Sequence, residues 1–212
     1  DYSICLLEKG SEIGAHILSG NVFQPNALDE LIPNWQELGA PLNVPVKKDK
    51  LLFLLEKIGI PVPSFIMPPM NNNGNYVISL GNLCRWLGEQ AENLGVEVFP
   101  GFPASQLLVE NDKVVGVQTG DMGIAESGEL KPGHEPGINI KAKYTILGEG
   151  CRGHLGKQII HKFNLSDGKD PQQYGIGFKE IWKIDEKNHE EGLVMHTAGW
   201  PLDKNTYGGS FV

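Results

Sequence analysis

With 212 residues, 40% hydrophobic and 21% charged, the chain has an ordinary globular composition and enough length for one large domain or two small ones, which excludes a disordered segment. A formal net charge of −8 excludes nucleic acid as the main partner, because phosphate binding needs a basic face, and it leaves room only for local, largely apolar membrane contact. Cys5, Cys84 and Cys151 are odd in number and lack C-x-x-C spacing, so neither a disulfide framework nor a zinc or iron–sulfur site is indicated in this segment, and a reducing compartment is expected.

Asp1 stands where a start methionine would. DYSICLLE opens inside a strand with no signal peptide ahead of it, and YGGSFV stops inside another, so the chain reads as a segment of a longer protein. No apolar run reaches the roughly 20 residues of a membrane-spanning helix. Residues 4–7 predict a short strand ending in Glu8, followed by Lys9 and Gly10. An acid at the carboxyl end of a buried strand suits the two vicinal hydroxyls of a ribose, in which case a glycine loop lies about 20 residues upstream; a solvated strand end is the other reading. Residues 14–20 form a glycine-bounded turn in which Ser19 and Gly20 either approach a ligand or make an ordinary loop. PNALDEL (25–31) predicts a short helix stopped by Pro33.

Residues 46–70, VKKDKLLFLLEKIGIPVPSFIMPPM, hold the consecutive apolar residues Leu51, Leu52, Phe53, Leu54 and Leu55. Ile58, Ile60, Val62, Phe65, Ile66 and Met67 follow among prolines at 61, 63, 68 and 69. Those prolines rule out a long helix and predict a hairpin or extended excursion. Lys47, Lys48, Lys50 and Lys57 outnumber Asp49 and Glu56, so an acidic protein carries its local positive excess beside its most apolar stretch. That combination suits shallow insertion at an anionic membrane surface. A strand pair in the core fits equally, because periodicity does not assign runs of this length.

After the loop NNNGN (71–75), Leu80, Leu83, Cys84, Leu87, Ala91 and Leu94 recur at helical spacing and predict the clearest helix of the chain, with Ser79 as N-cap and Gly95 as stop. Strands are predicted at 96–99, 106–109 and 114–119, the last two joined by a turn at 111–113. Residues 120–137 read as a glycine-rich surface loop and 138–147 as a strand. That strand runs into YTILGEGCRG (144–153), where Gly148, Gly150 and Gly153 match G-x-G-x-x-G, and HLGKQIIHKF then puts Leu155, Ile159, Ile160 and Phe163 near one helical face. By spacing this is either a dinucleotide phosphate loop or a plain glycine turn. Glu149 opposes the first reading by placing a carboxylate where a pyrophosphate would sit, and no ribose-binding acid follows about 20 residues later. Residues 174–184, 194–200 and 206–212 alternate as strands. The histidines show no metal-ligand spacing, and Gly208 and Gly209 either permit a bulge or bring bare backbone against a flat ligand.

The blocks LLEKGSEIGAHILSGNVFQPNALDELIPNW, PMNNNGNY, WLGEQAENLGVEV, GEGCRGHLGKQ and GWPLDKNTYGGSF together resemble the electron-transfer flavoprotein:ubiquinone oxidoreductase family over nearly the whole chain. The resemblance implies an α/β (α+β) fold: an incomplete, Rossmann-like FAD-binding domain of the glutathione-reductase-like class with an inserted, mostly β quinone domain. Residues 1–45 and 76–163 would belong to the FAD domain, 46–75 to the membrane-contacting hairpin, and 164–212 to the start of the quinone-binding β domain. It also implies a monotopic membrane enzyme, on the matrix face of the mitochondrial inner membrane or the cytoplasmic face of a bacterial one. Such an enzyme takes electrons from electron-transfer flavoprotein and gives them to ubiquinone, with a [4Fe–4S] cluster held by residues outside this segment.

Carried onto this sequence, the resemblance makes Glu8, with Lys9 beside it, the ribose ligand of FAD. It puts Ser19 and Gly20 near the flavin and turns the main chain of Phe102–Ala104 toward the adenine side. Gly148, Glu149 and Gly150 become a second FAD-contacting strand end, with Glu149 accepting from a ribityl hydroxyl; relatives carry Ala where Gly148 stands, so the glycine spacing itself is fortuitous. Leu51, Leu52, Phe53, Leu54, Phe65 and Ile66 become membrane contacts, and Gly208 and Gly209 backbone contacts of the quinone headgroup. Some members have Arg where Ser79 stands, which removes any anion contact inferred there. Two other readings are a geranylgeranyl-reductase-like flavoenzyme and a membrane-surface binding module without a cofactor. Since a flavin carries the redox chemistry itself, no general acid or nucleophile is named.

Overall fold

The computed structural model describes residues 2–18, 20–66 and 68–212. In chain order its elements are β1 (Cys5–Glu8), β2 (Asn21–Phe23), α1 (Asn26–Leu31), β3 (Val44–Pro45), β4 (Lys48–Leu54), β5 (Gly59–Pro61) and β6 (Tyr76–Ile78). They continue with α2 (Leu80–Asn93), β7 (Glu97–Pro100), β8 (Ala104–Glu110), β9 (Lys113–Thr119), β10 (Met122–Ile124), β11 (Leu130–Glu135) and β12 (Asn139–Lys141). The last are α3 (His154–Lys162), β13 (Leu193–Gly199) and β14 (Ser210–Phe211). The mixed α/β class agrees with the residue pattern. The chain divides into two compact units, each drawn from separated stretches.

One unit joins Asp1–Ala15 to Gly88–Phe178. Here β1 and β7 pair in parallel, from Cys5 opposite Glu97 to Glu8 opposite Pro100. β8, β9 and β12 make an antiparallel sheet with β9 in the middle. Asn111 and Asp112 close the β8–β9 turn at φ 49° and 58°, a backbone region their short polar side chains tolerate. α3 packs on β8 through Leu155, which is 2% exposed. Gln158 fixes that contact, its Oε1 accepting from the Leu107 N–H at 3.2 Å and its Nε2 donating to the Ser105 carbonyl at 3.0 Å.

The other unit joins His16–Leu87 to Lys179–Val212. Its core is Leu28, Trp35, Ala40, Leu42, Ile78, Leu83 and Trp86, and each large side chain removed from water there contributes roughly 1.5–3 kcal/mol. Both indoles find acceptors: Trp35 Nε1 donates to Asp29 Oδ1 at 2.7 Å and Trp86 Nε1 to the Leu38 carbonyl at 3.0 Å. The predicted helix at 80 supplies Leu83 and Trp86 from one face; Ser79 Oγ accepts from the Asn82 N–H at 3.4 Å, and Gly95 follows at φ 88°. Within residues 46–66, β4 and β5 form an antiparallel hairpin, which joins a sheet of order β14-β13-β4-β5. β13 lies parallel to β4 in unbroken register, from Leu193 opposite Lys48 to Gly199 opposite Leu54.

Four expectations fail, wholly or in part. Residues 120–137 are no plain loop, since β10 and β11 pair there as an antiparallel hairpin. The strand predicted over 138–147 is confined to β12, and Tyr144 and Ile146 stand 88% and 93% exposed. The strand predicted over 174–184 is absent, with Ile176, Phe178 and Trp182 exposed. Alternation defines a strand only where another backbone offers its ladder, and among the described residues none pairs with 143–147 or 174–184. Of 206–212, only Ser210–Phe211 is strand.

Candidate functional site

At the carboxyl ends of β1 and β7, Glu8 Oε1 accepts from its own chain's Gly10 N–H at 2.6 Å, which folds the carboxylate back over the strand end. The Phe102 N–H donates to the Glu8 carbonyl at 3.0 Å and the Gly101 N–H to the Gly10 carbonyl at 2.7 Å. The stretch leaving β7 is thereby laced to the stretch leaving β1, and it delivers the chain to Ala104, the first residue of β8. Glu8 and Lys9 thus lie at the ends of parallel strands beside the stretch leaving β7, and Ala104 follows two residues after Phe102; nucleotides bind at such strand ends in open α/β sheets. Gly101, at φ 82°, leaves open space where a side chain would stand. Ser19 lies outside the described residues. Gly20, at φ 85° in the other unit, accepts at its carbonyl from Lys179 Nζ.

The glycine motif is built around Glu149. Its Oε1 accepts from the Leu155 N–H at 3.1 Å and its Oε2 from the Gly156 N–H at 2.8 Å. These are orphan donors of the first turn of α3, whose N-cap residue, Gly153, has no side chain to offer them. A Cβ at Gly153 would come within 2.6 Å of the Glu149 side chain, so this glycine is required by the cap. The phosphate-loop reading is corrected on the same ground: the helix N-terminus that would receive a pyrophosphate holds the chain's own carboxylate. A Cβ at Gly148 or Gly150 would meet nothing within 4 Å, and this bare, open backbone fits the close approach of a long polar cofactor such as FAD.

In the second unit the hairpin exposes apolar side chains. Phe53 is 45%, Ile58 60%, Phe65 80% and Ile66 57% exposed, while Leu51, Leu52 and Leu54 are half-buried. The lysines beside them are not a free positive face. Lys47 pairs with Glu191, Lys48 Nζ lies 2.7 Å from Glu190 Oε1, and Lys50 Nζ lies 3.6 Å from Glu190 Oε2. Hydrogen bonds from Lys48 and Lys47 hold Glu190 and Glu191, respectively, below the ordinary carboxylate range. The local excess of lysine read from 46–70 is therefore balanced by acids more than 130 residues later.

Gly209 is packed against strand backbone, since a Cβ there would fall 2.2 Å from the Thr197 carbonyl oxygen, whereas one at Gly208 would meet only Leu202 Cδ1, at 3.0 Å. Beside the paired β4 and β13 opens a recess of about 470 Å³, walled by Leu51, Pro61, Val62 and Met70 and carrying the polar groups of Asp49, Lys50 and His196. Asn72 joins Asp49 and His196, its Nδ2 lying 2.8 Å from Asp49 Oδ1 and 3.2 Å from His196 Nε2. The sequence gives no sign of this trio. Among the described residues no His, Cys, Asp and Glu cluster is arranged to hold a metal ion, and no helix is long and apolar enough to cross a membrane.

Residues 174–212, which contain β13 and β14, match a protein-family model described as ETF-QO, ubiquinone-binding. The whole chain aligns with the electron transfer flavoprotein-ubiquinone oxidoreductase of Pseudomonas aeruginosa at 56% identity, covering 39% of that protein, and with the human mitochondrial protein of the same name at 54%, covering 34%. The chain belongs to the electron transfer flavoprotein-ubiquinone oxidoreductase family. The Arabidopsis thaliana mitochondrial member is 51% identical over the full chain, which spans 33% of it, so this chain represents little more than a third of the family members it matches. Among solved structures, a geranylgeranyl bacteriochlorophyll reductase-like protein from Thermoplasma acidophilum superposes with a TM-score of 0.53 at 16% identity, over 93% of this chain and 44% of that one. That likeness concerns the fold.

Proposed function

We propose that the chain is part of an FAD-dependent oxidoreductase that passes electrons from electron-transfer flavoprotein to ubiquinone at a membrane surface. The observation that carries this reading is the full-length identity to family members, with the ubiquinone-binding match over 174–212. Glu8, Lys9 and Ala104 would hold the adenosine side of FAD, and the backbone of Gly148 and Gly150 its pyrophosphate and ribityl side. When bound, FAD supplies the electron transfer, and the protein supplies position and electrostatics. Glu149 has lone pairs beyond the two its cap uses, so it can serve helix and ribityl hydroxyl together.

The quinone headgroup would meet Gly208 and Gly209, and Phe53, Phe65 and Ile66 would enter the lipid, with Leu51, Leu52 and Leu54 backing them. Membrane attachment is then peripheral, on the matrix face of the mitochondrial inner membrane or the cytoplasmic face of a bacterial one. A [4Fe–4S] cluster would be ligated by residues outside this segment. The test is the intact protein, purified with its flavin and assayed with reduced electron-transfer flavoprotein and a short-chain ubiquinone. Flavin-linked quinone reduction is expected; a protein that holds no flavin after gentle purification and reconstitution would overturn the reading.

A further inference from the structure

Asp49, Asn72 and His196 settle which ring nitrogen of the histidine carries its proton. Asn72 Nδ2 faces Asp49 Oδ1 at 2.8 Å and the Met70 carbonyl at 3.1 Å, and the Asn72 N–H donates to Asp49 Oδ2 at 2.8 Å. A carboxylate and a carbonyl only accept, so the atom between them is the amide nitrogen; on the other side, Asn72 Oδ1 accepts from Asn75 Nδ2 at 3.2 Å. With two hydrogens for three acceptors, Asn72 Nδ2 shares one of them between the Met70 carbonyl at 3.1 Å and His196 Nε2 at 3.2 Å; an amide nitrogen has no lone pair with which to accept, so Nε2 is on the accepting side and the ring proton sits on Nδ1. Nδ1 makes no hydrogen bond among the described residues. The ring itself borders the 470 Å³ recess, whose other walls are mostly apolar, and His196 falls within the stretch matched by the ubiquinone-binding family model.

We propose that His196 is a quinone-binding residue, its Nδ1–H donating to a carbonyl oxygen of the headgroup in the recess walled by Leu51, Pro61, Val62 and Met70, and that Asn72, anchored by Asp49, is the positioning residue that fixes this tautomer. A planar apolar ring with carbonyl acceptors matches the recess: apolar walls take the ring and the His196 donor sets its orientation, while Lys50, the other cation-bearing side chain of the lining, has its Nζ 3.6 Å from Glu190 Oε2. The inference rests on the quinone reading above and adds the side chains that orient the ligand.

The test uses the intact flavin-loaded protein with a short-chain ubiquinone as electron acceptor. His196→Leu should raise KM for the quinone about three- to tenfold, the span of one net hydrogen bond of roughly 0.7–1.4 kcal/mol, with flavin content kept. His196→Asn, whose amide nitrogen stands near the place of Nδ1, should recover most of the loss. Asn72→Asp replaces the donor facing Nε2 by an acceptor, draws the proton there, and should raise KM although no residue that lines the recess is substituted. Nitrogen chemical shifts of His196 should report protonated Nδ1 and bare Nε2 in the parent protein, and the reverse or a doubly protonated ring in Asn72→Asp; this readout needs no activity. An unchanged KM in both His196→Leu and Asn72→Asp, or a parent ring protonated on Nε2, would overturn the inference while leaving quinone reduction standing. A parent protein that reduces no quinone at all would bring down the functional reading and this inference with it.

Discussion

The Glu149 carboxylate spans the first turn of α3, its Oε2 2.8 Å from the backbone nitrogen of Gly156. A residue four places ahead of the N-cap Gly153 thus does what a capping side chain normally does. Removing a cap costs about 0.5–2 kcal/mol, and the lost negative charge adds a few tenths. Glu149→Ala should lower stability of the intact protein by about that sum, with Glu149→Gln intermediate. Denaturant midpoints and amide exchange across α3 measure it, and unaltered exchange at Leu155 and Gly156 in the alanine variant would rule out the cap.

Gly208 and Gly209 separate packing from ligand contact. Because a Cβ on Gly209 would fall 2.2 Å from the Thr197 carbonyl oxygen, Gly209→Ala should force β14 off β13 and lower the thermal midpoint. Gly208→Ala meets only the end of a leucine and should fold as the parent does. Calorimetry of the pair tests the contrast, and Gly208→Ala is then the cleaner probe of quinone affinity.

The lysine–glutamate pairs give a pH dependence with a definite sign. Glu190 and Glu191 have folded-state affinities for protons below the ordinary carboxylate value, so the tie they make is complete above that value and is lost as pH falls through their lowered one. In acid, Lys47, Lys48 and Lys50 are released. Association with vesicles containing anionic lipid should therefore strengthen on acidification, and Glu190→Gln with Glu191→Gln should produce the same rise at neutral pH. Cosedimentation measures both, and a double variant with the parent's dependence on anionic lipid would show that these pairs do not mask the lysines.

Apolar contact is expected to dominate membrane attachment. Phe53→Ser and Phe65→Ser each remove a large exposed ring, worth roughly 1.5–3 kcal/mol if fully buried in lipid. Each should weaken binding to neutral vesicles about tenfold or more. Flotation assays check this, and unchanged flotation of the combined variant would move the contact away from the hairpin.

The parts of the fold that carry their own periodicity were legible in the sequence. Leu83 recurs with the helical repeat and lies in the core, and the turn at Asn111 and Asp112 announces itself by residue type. The placement of Glu8 at a strand end needed only four apolar letters before it. What was not legible depends on partners. Tyr174 to Ile184 alternates convincingly, yet a ladder needs a second backbone; β10 and β11 are hidden by the glycines around them. Asn72 and His196 are 124 positions apart, so no local spacing reveals that one sets the proton of the other. Glu149 was visible as an anomaly, and its hydrogen bonds to α3 explain why a carboxylate belongs there.

The parallel pairing of β4 with β13 has a consequence for how the protein is made. Leu193 meets Lys48 only after some 140 intervening residues have left the ribosome, at about 5–20 residues per second. For that interval β4 has β5 on one side and an uncovered edge, rich in leucine, on the other. Such edges recruit foreign strands, and parallel pairings between distant stretches form slowly. Until β13 arrives, that edge is the part of the nascent hairpin open to pairing with a foreign strand.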